Sequence, residues 1–261
     1  RQVQEKRPLV QCITNFVTVN DCANIILAAG GSPSMAHDIR EAAEAVTMAQ
    51  GLVCNLGAIG DTDAMEAAGK EANRRGIPVI FDPVAAGGTS LRRAEAARLM
   101  RAVHFSVIRG NASEIRFLAG EQSSGSGVDA GMFDEITEEN LSAAIGIVKG
   151  LAEKTGSVIA VSGRLDLISD SRRTAVLRNG SPVMARITGS GCMLTALTGA
   201  FCGACQKDCF TAAFAASAVM GVCGELADAK RLERGTGNAS FRNDLIDAVF
   251  TLTEKQFREE I

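Results

Sequence analysis

Apolar residues along the 261-residue chain follow two alternating rhythms. Short β-rich runs, "GLVCNLG", "IPVIFDPV" and "FSVIRGN", are each followed by a longer stretch whose apolar positions recur three and four apart. The spacing predicts helices over 61–75, 91–103 and 112–119, and a further helix over 138–154 ahead of a fourth strand, "SVIAVSG". Strand–helix alternation of this kind means an α/β fold with a mostly parallel central sheet and helices on both faces. Three more strand-like pieces, "DLISD", "TAVLRNG" and "PVMARIT", follow without helices between them and predict an antiparallel edge. Beyond them, 191–227 reads as helix with a break near Lys207, and 240–258 as a last helix. Apart from the polar "GEQSSGSGVDAG" there is no linker, repeat or low-complexity tract, and residues 1–261 read as one domain.

In an open parallel sheet, ligands bind beyond the carboxyl ends of the strands. That rule selects Asp82 after "VIF", Arg109 after "SVI", Ser162 after "VIAV", and the loop "TGSGC" at 188–192. In the loop, glycines let backbone N–H groups approach an anion, and the helix that follows offers unpaired N–H donors and the positive end of its dipole. Cys192 then sits beside the reacting group, where a helix N-terminus can lower a thiol's pKa. The same residues also fit a tight turn closed by a small buried cysteine. "RGNASE" has two readings as well. Asn111 and Glu114 are spaced as a capping box, while Arg109 ahead of them suits a nucleotide phosphate. Asp82 and Glu114 become a magnesium pair only if they meet beside that phosphate.

Composition removes several classes. A net charge of -3 lacks the basic footprint of a nucleic-acid binder. The most apolar stretch, 209–224, is shorter than the roughly 20 residues needed to cross a bilayer, and it reads as a buried helix; no membrane partner is expected. The N-terminal "RQVQEKRPLV" has no apolar signal core, and eight scattered cysteines in a chain of this size fit a reduced, cytoplasmic protein. Cys202, Cys205 and Cys209 are spaced for one face of a helix and read as core. The histidines, His37 and His104, lie far from them in sequence and complete no zinc set. No G-x-x-x-x-G-K-[ST] is present. The G-x-G-x-x-A match at Gly125, Gly127 and Ala130 follows a polar loop where a dinucleotide fingerprint needs a strand. A nucleophile elbow centred on Cys192 would need glycines where Ser190 and Leu194 stand.

"ITNFVTVNDCAN", "GGSPSM", "FDPV", "RGNASEI", "GVDA" and "TGSGC" occur in an order and spacing that resembles the hydroxyethylthiazole kinase family, from Leu9 to the last helix. The resemblance implies a ribokinase-like three-layer sandwich. It also implies transfer of the γ-phosphoryl group of ATP to the primary alcohol of 4-methyl-5-(2-hydroxyethyl)thiazole, with Mg2+, in thiamine salvage. Carried over by motif, Met35 and Gly189 would hold the thiazole, mainly through backbone groups. Arg109 and Ser162 would bind ATP, and Asp82 and Glu114 would serve magnesium directly or through water. Cys192 would approach the substrate hydroxyl, where most ribokinase-like enzymes carry an aspartate base. The family looks trimeric, with substrate sites between subunits. Two positions depart from its pattern: Ser162 stands for the usual threonine, and Arg164 for the usual acid. The rival readings are another ribokinase-like vitamin kinase, such as one acting on hydroxymethylpyrimidine, and a non-catalytic nucleotide or thiazole sensor.

Overall fold

A computed structural model describes residues 1–120 and 135–261. The strands are β1 (Leu9–Ile13), β2 (Ser32–Ser34), β3 (Gly51–Asn55), β4 (Val79–Asp82), β5 (Val107–Asn111), β6 (Val158–Ser162), β7 (Asp166–Ser169) and β8 (Thr174–Leu177). They form one sheet in the order β2-β1-β3-β4-β5-β6-β7-β8. Pairing is parallel as far as β6 and antiparallel for the hairpin of β7 and β8. The helices are α1 (Gln2–Lys6), α2 (Val19–Ala28), α3 (Ala42–Ala45), α4 (Thr62–Arg75), α5 (Ser90–Ala102), α6 (Ala112–Ala119), α7 (Leu141–Thr155), α8 (Ser190–Ala204), α9 (Cys209–Arg234), α10 (Asn238–Thr251) and α11 (Glu254–Glu260).

Successive strand residues point to opposite faces of a sheet, and here the alternation separates two cores. Val53, Ile80, Val107 and Ala160 pack under α2, α8, α9 and α10. Their neighbours Leu52, Phe81, Ile108 and Ile159 pack under α4, α5, α6 and α7. The three layers follow from that period of two. One residue pair further along, the same alternation puts Asn55, Asp82, Arg109 and Ser162 on the α8 side, at the carboxyl ends of four adjacent strands.

Three expectations need correction, and one unit went unread. "PVMARIT" is no strand: Pro182–Arg186 is a 3-10 turn, started by Ser181, whose side chain accepts from Val183 N, and Pro182 has no N–H for a ladder. The last helix is two, because Thr253 and Gln256 form a capping box that starts α11 afresh. Cys202, Cys205 and Cys209 do not share one helix face, since the break falls between Cys205 and Asp208. All three still pack in or against the same core. The unit β1–α2–β2 was not anticipated: β2 is only three residues long, and the apolar run of β1, LVQCI, is interrupted by Gln11, a polar residue that the fold nevertheless buries. The break near Lys207 and the buried character of α9 are as expected. "GVDA" and the G-x-G-x-x-A match lie outside the described residues.

Candidate active site

Strand order reverses between β1 and β3, the place where an open α/β sheet leaves a crevice. Asn15 follows β1, Asn55 ends β3, and the first turn of α8 rests over the gap. Gly189 caps α8 at φ 85°, a left-handed conformation open to glycine. A Cβ there would also stand 2.5 Å from Thr18 Cγ2, so the cap fits closely against the loop after β1. The first intrahelical bond runs from Met193 N to Gly189 O at 2.8 Å. The amides of Ser190, Gly191 and Cys192 therefore have no partner within the helix and are free for an anion.

Cys192 Sγ accepts from Asn15 Nδ2 at 3.4 Å and from Asn55 Nδ2 at 3.2 Å. Its pKa is raised above the ordinary thiol value, first by burial and then by the Asp82 carboxylate, against the pull of bonds from Thr18, Asn55 and Asn15. The direction runs against the expectation of a thiol lowered by the helix N-terminus, because burial removes the sulfur from water and the Asp82 carboxylate repels a thiolate. Asp82 is 1% exposed. Its Oδ2 accepts from Thr195 Oγ1 at 2.7 Å and Asn55 Nδ2 at 3.1 Å, with Arg109 Nη1 at 3.8 Å. Burial lifts the Asp82 pKa to about 6, Arg109 opposes the rise, and Glu114 adds to it.

Arg109 is buried, donates from Nη2 to Ser162 Oγ, and keeps a buried Nε with no hydrogen-bond partner. Its guanidinium lies directly beneath the glycine loop, so that a Cβ on Gly191 would come within 2.6 Å of Nη1. Next to it opens a cleft of about 1000 Å³, lined by Ser162, Arg164, Asp166, Ser190 and Gly191 among others. Asp166 Oδ1 accepts from Gly163 N at 3.0 Å, and burial lifts this carboxyl to about 6 as well. Glu114 is the capping-box acid of α6, its Oε2 accepting from Asn111 N at 2.8 Å. Its Oε1 accepts from Ala85 N, also at 2.8 Å, and so holds the loop after Asp82, where Ala85 has φ 53°. Asp82, Arg109, Ser162, Gly189 and Cys192 are thus brought together, with Glu114 at their edge. Met35 stands apart, following β2 on the far side of β1 and packed against the α8 core.

Among the described residues, no three His, Cys, Asp or Glu side chains stand close enough to hold a metal alone. Magnesium usually keeps several waters and takes one or two carboxylates plus substrate phosphates. Asp82 with Glu114, beside Arg109 and the free amides of α8, fits a magnesium that arrives with a nucleotide and not a prebuilt cage.

Residues 1–255 match the family model described as "HK: Hydroxyethylthiazole kinase family". The chain belongs to the hydroxyethylthiazole kinase family. A hydroxyethylthiazole kinase of Clostridium acetobutylicum is 46% identical over 252 residues, covering 96% of this chain and 92% of that one. The solved hydroxyethylthiazole kinase protein of Pyrococcus horikoshii superposes with a TM-score of 0.85 at 34% identity, over 98% of this chain and 93% of that one. A ribokinase-like superfamily protein of Enterococcus faecalis superposes at 0.60 with 11% identity, over 92% of this chain and 86% of that one, a likeness of fold alone. The fold of this hydroxyethylthiazole kinase family member is therefore ribokinase-like. Three residues of its crevice escaped the sequence reading: Asn15, Asn55 and Thr195. The strand-end rule that selected Asp82 applies equally to Asn55, the last residue of "GLVCN". Thr195, three residues after Cys192 on a helix, shares its face.

Proposed function

We propose that this chain phosphorylates the primary alcohol of 4-methyl-5-(2-hydroxyethyl)thiazole with ATP, giving the thiazole phosphate and ADP. The observation that carries the reading is the thiol of Cys192, held in the first turn of an anion-ready helix next to Asp82 and above Arg109. The alcohol would enter at the β1–β3 crevice against Cys192, with the thiazole ring toward Gly189 and Met35. The nucleotide would lie in the cleft on the other side of the glycine loop, its phosphates reaching Arg109, Ser162 and the amides of Ser190–Cys192.

Phosphoryl transfer through a loose transition state asks for little proton removal until late, so positioning and charge neutralisation dominate. A thiol with a raised pKa is protonated near neutrality, so Cys192 chiefly aligns the alcohol, and only its small thiolate fraction takes the proton, late in the transfer. Arg109, fixed by Ser162 and near Asp82, offers a guanidinium whose place does not have to be organised during the reaction. Asp82 and Glu114 would hold Mg2+, which when bound neutralises developing charge on the phosphate oxygens.

The reading includes a cytoplasmic homotrimer with sites between subunits. Support comes from Phe16 and Val17, apolar side chains 90% and 58% exposed in the loop that carries Asn15 and Thr18. The eight free cysteines suit a reducing compartment. The test is ADP release with a panel of thiazole, pyrimidine and sugar alcohols. The thiazole alcohol should turn over fastest; faster turnover of hydroxymethylpyrimidine would move the assignment to another vitamin kinase, and no turnover of any alcohol would leave a sensor.

A further inference from the structure

Asn55 is fully buried at the end of β3, and its amide is saturated. Nδ2 donates to Asp82 Oδ2 at 3.1 Å and to Cys192 Sγ at 3.2 Å. Oδ1 accepts from Gly57 N at 2.8 Å and from Asn15 Nδ2 at 3.3 Å. The Gly57 N–H fixes which way the amide faces. Turned over, the group would set N–H against the Gly57 N–H and oxygen against the Asp82 carboxylate, and both of those bonds would be lost. The backbone encloses it closely: a Cβ on Gly57 would fall 2.6 Å from Oδ1. Register makes the bridge possible, because Asn55 stands opposite Asp82 in the β3–β4 ladder and both point to the α8 side.

We propose that Asn55 is a positioning residue for phosphoryl transfer, one planar amide that fixes the Cys192 sulfur relative to the Asp82 carboxylate. The proposal rests on the reading of Cys192 as the group that meets the alcohol. With amide donors from Asn15 and Asn55 on the sulfur, the S–H turns away from both. Asn55 itself need not touch the reacting atoms. Its effect runs through the sulfur on one side and through the carboxylate on the other, which sets the line between acceptor alcohol and phosphate. Misplacing reacting groups by about 1 Å lowers rates by about 100-fold, so a side chain that sets this separation should show in kcat. The other groups facing the sulfur are Thr18 from the loop after β1 and Cys22 from α2.

A double-mutant cycle on the full chain tests this, with the thiazole alcohol as substrate at saturating Mg-ATP. Asn55→Ala should lower kcat about 10–100-fold while KM for the alcohol moves by less than about threefold. In a Cys192→Ala background the same substitution should lower kcat by a clearly smaller factor, because the sulfur it positions is gone. Equal losses in the two backgrounds, or a loss confined to KM, would overturn the proposal and leave Asn55 a structural residue. If Asn55→Ala does not fold, Asn55→Ser, which retains a hydroxyl acceptor for Gly57 N–H, takes its place in the cycle. A Cys192→Ala variant with native turnover overturns the reading of Cys192 and the proposal with it, an outcome distinct from equal losses.

Discussion

Replacing Asp166 by Asn should stabilise the protein at pH 8 and do so by only about a third as much at pH 4.5. Asp166 opens β7 and closes the tight turn after Ser162 by accepting the Gly163 N–H. Burial lifts its pKa from the ordinary 3.8 to about 6, with the Gly163 bond and Arg109 already acting against the rise. Because the folded pKa is raised, folding favours the protonated form. The stability involved is fully present below the unfolded value and is lost as pH rises through about 6. Two pKa units correspond to about 3 kcal/mol at 1.36 kcal/mol each. Solvent in the adjoining cleft screens part of this, so about 1–2 kcal/mol is expected in practice. Asparagine retains the Oδ1 acceptor for Gly163 and carries no charge, so it escapes the penalty. For a chain of this length the gain amounts to about 2–8 °C in the melting midpoint at pH 8. Calorimetric melts of both proteins at the two pH values check it. A gain of equal size at pH 4.5, or a loss at pH 8, would refute the claim that the cleft holds this carboxylate against its ionisation.

The remaining expectations concern catalysis. Arg109→Ala should raise KM for ATP by about 10–100-fold, the effect of losing one charge-assisted phosphate contact, with much less change in KM for the thiazole alcohol in steady-state assays. Equal effects on both would mean that Arg109 only supports the fold. Cys192→Ala should slow turnover by about 10²–10⁴, the range for a lost general base, and nearer the lower end because the thiol's pKa is raised. Cys192→Asp should stay active; a folded, ATP-binding but inactive Cys192→Asp would sink the positional role. Phosphate retained on Cys192, seen by intact-protein mass after one ATP addition, would show a covalent route instead. Gly191→Ala places a methyl group 2.6 Å from Arg109 Nη1 and must displace the guanidinium. It should mimic Arg109→Ala in the ATP titration, and a native KM for ATP would refute the close approach.

Much of the architecture was legible because it depends on local periodicity. The parallel strands β3 to β6 and the helices between them show uninterrupted apolar runs and periods in the sequence, and the end positions follow from caps and glycines carried in the sequence itself. The capping box of Asn111 and Glu114 is local in the same sense, four residues in a row, and it formed as its spacing implied. Asp82, Arg109, Ser162 and Cys192 were found because strand ends and a glycine loop are recognisable without knowing what faces them.

Tertiary structure alone decided what joins those residues. β2 has only three residues and the apolar run of β1 is broken by Gln11, so the reversal of strand order, and with it the crevice between Asn15 and Asn55, appears only once the sheet is assembled. The bridge from Cys192 through Asn55 to Asp82 links residues 137 and 27 positions apart, and no local pattern encodes such a contact. The thiol's pKa is the clearest case. A helix N-terminus, visible in the sequence, argues for a lowered value, whereas the raised value comes from burial and from a carboxylate delivered by β4. Desolvation and through-space charge depend on every layer packed around the sulfur, and they exist only in the folded chain.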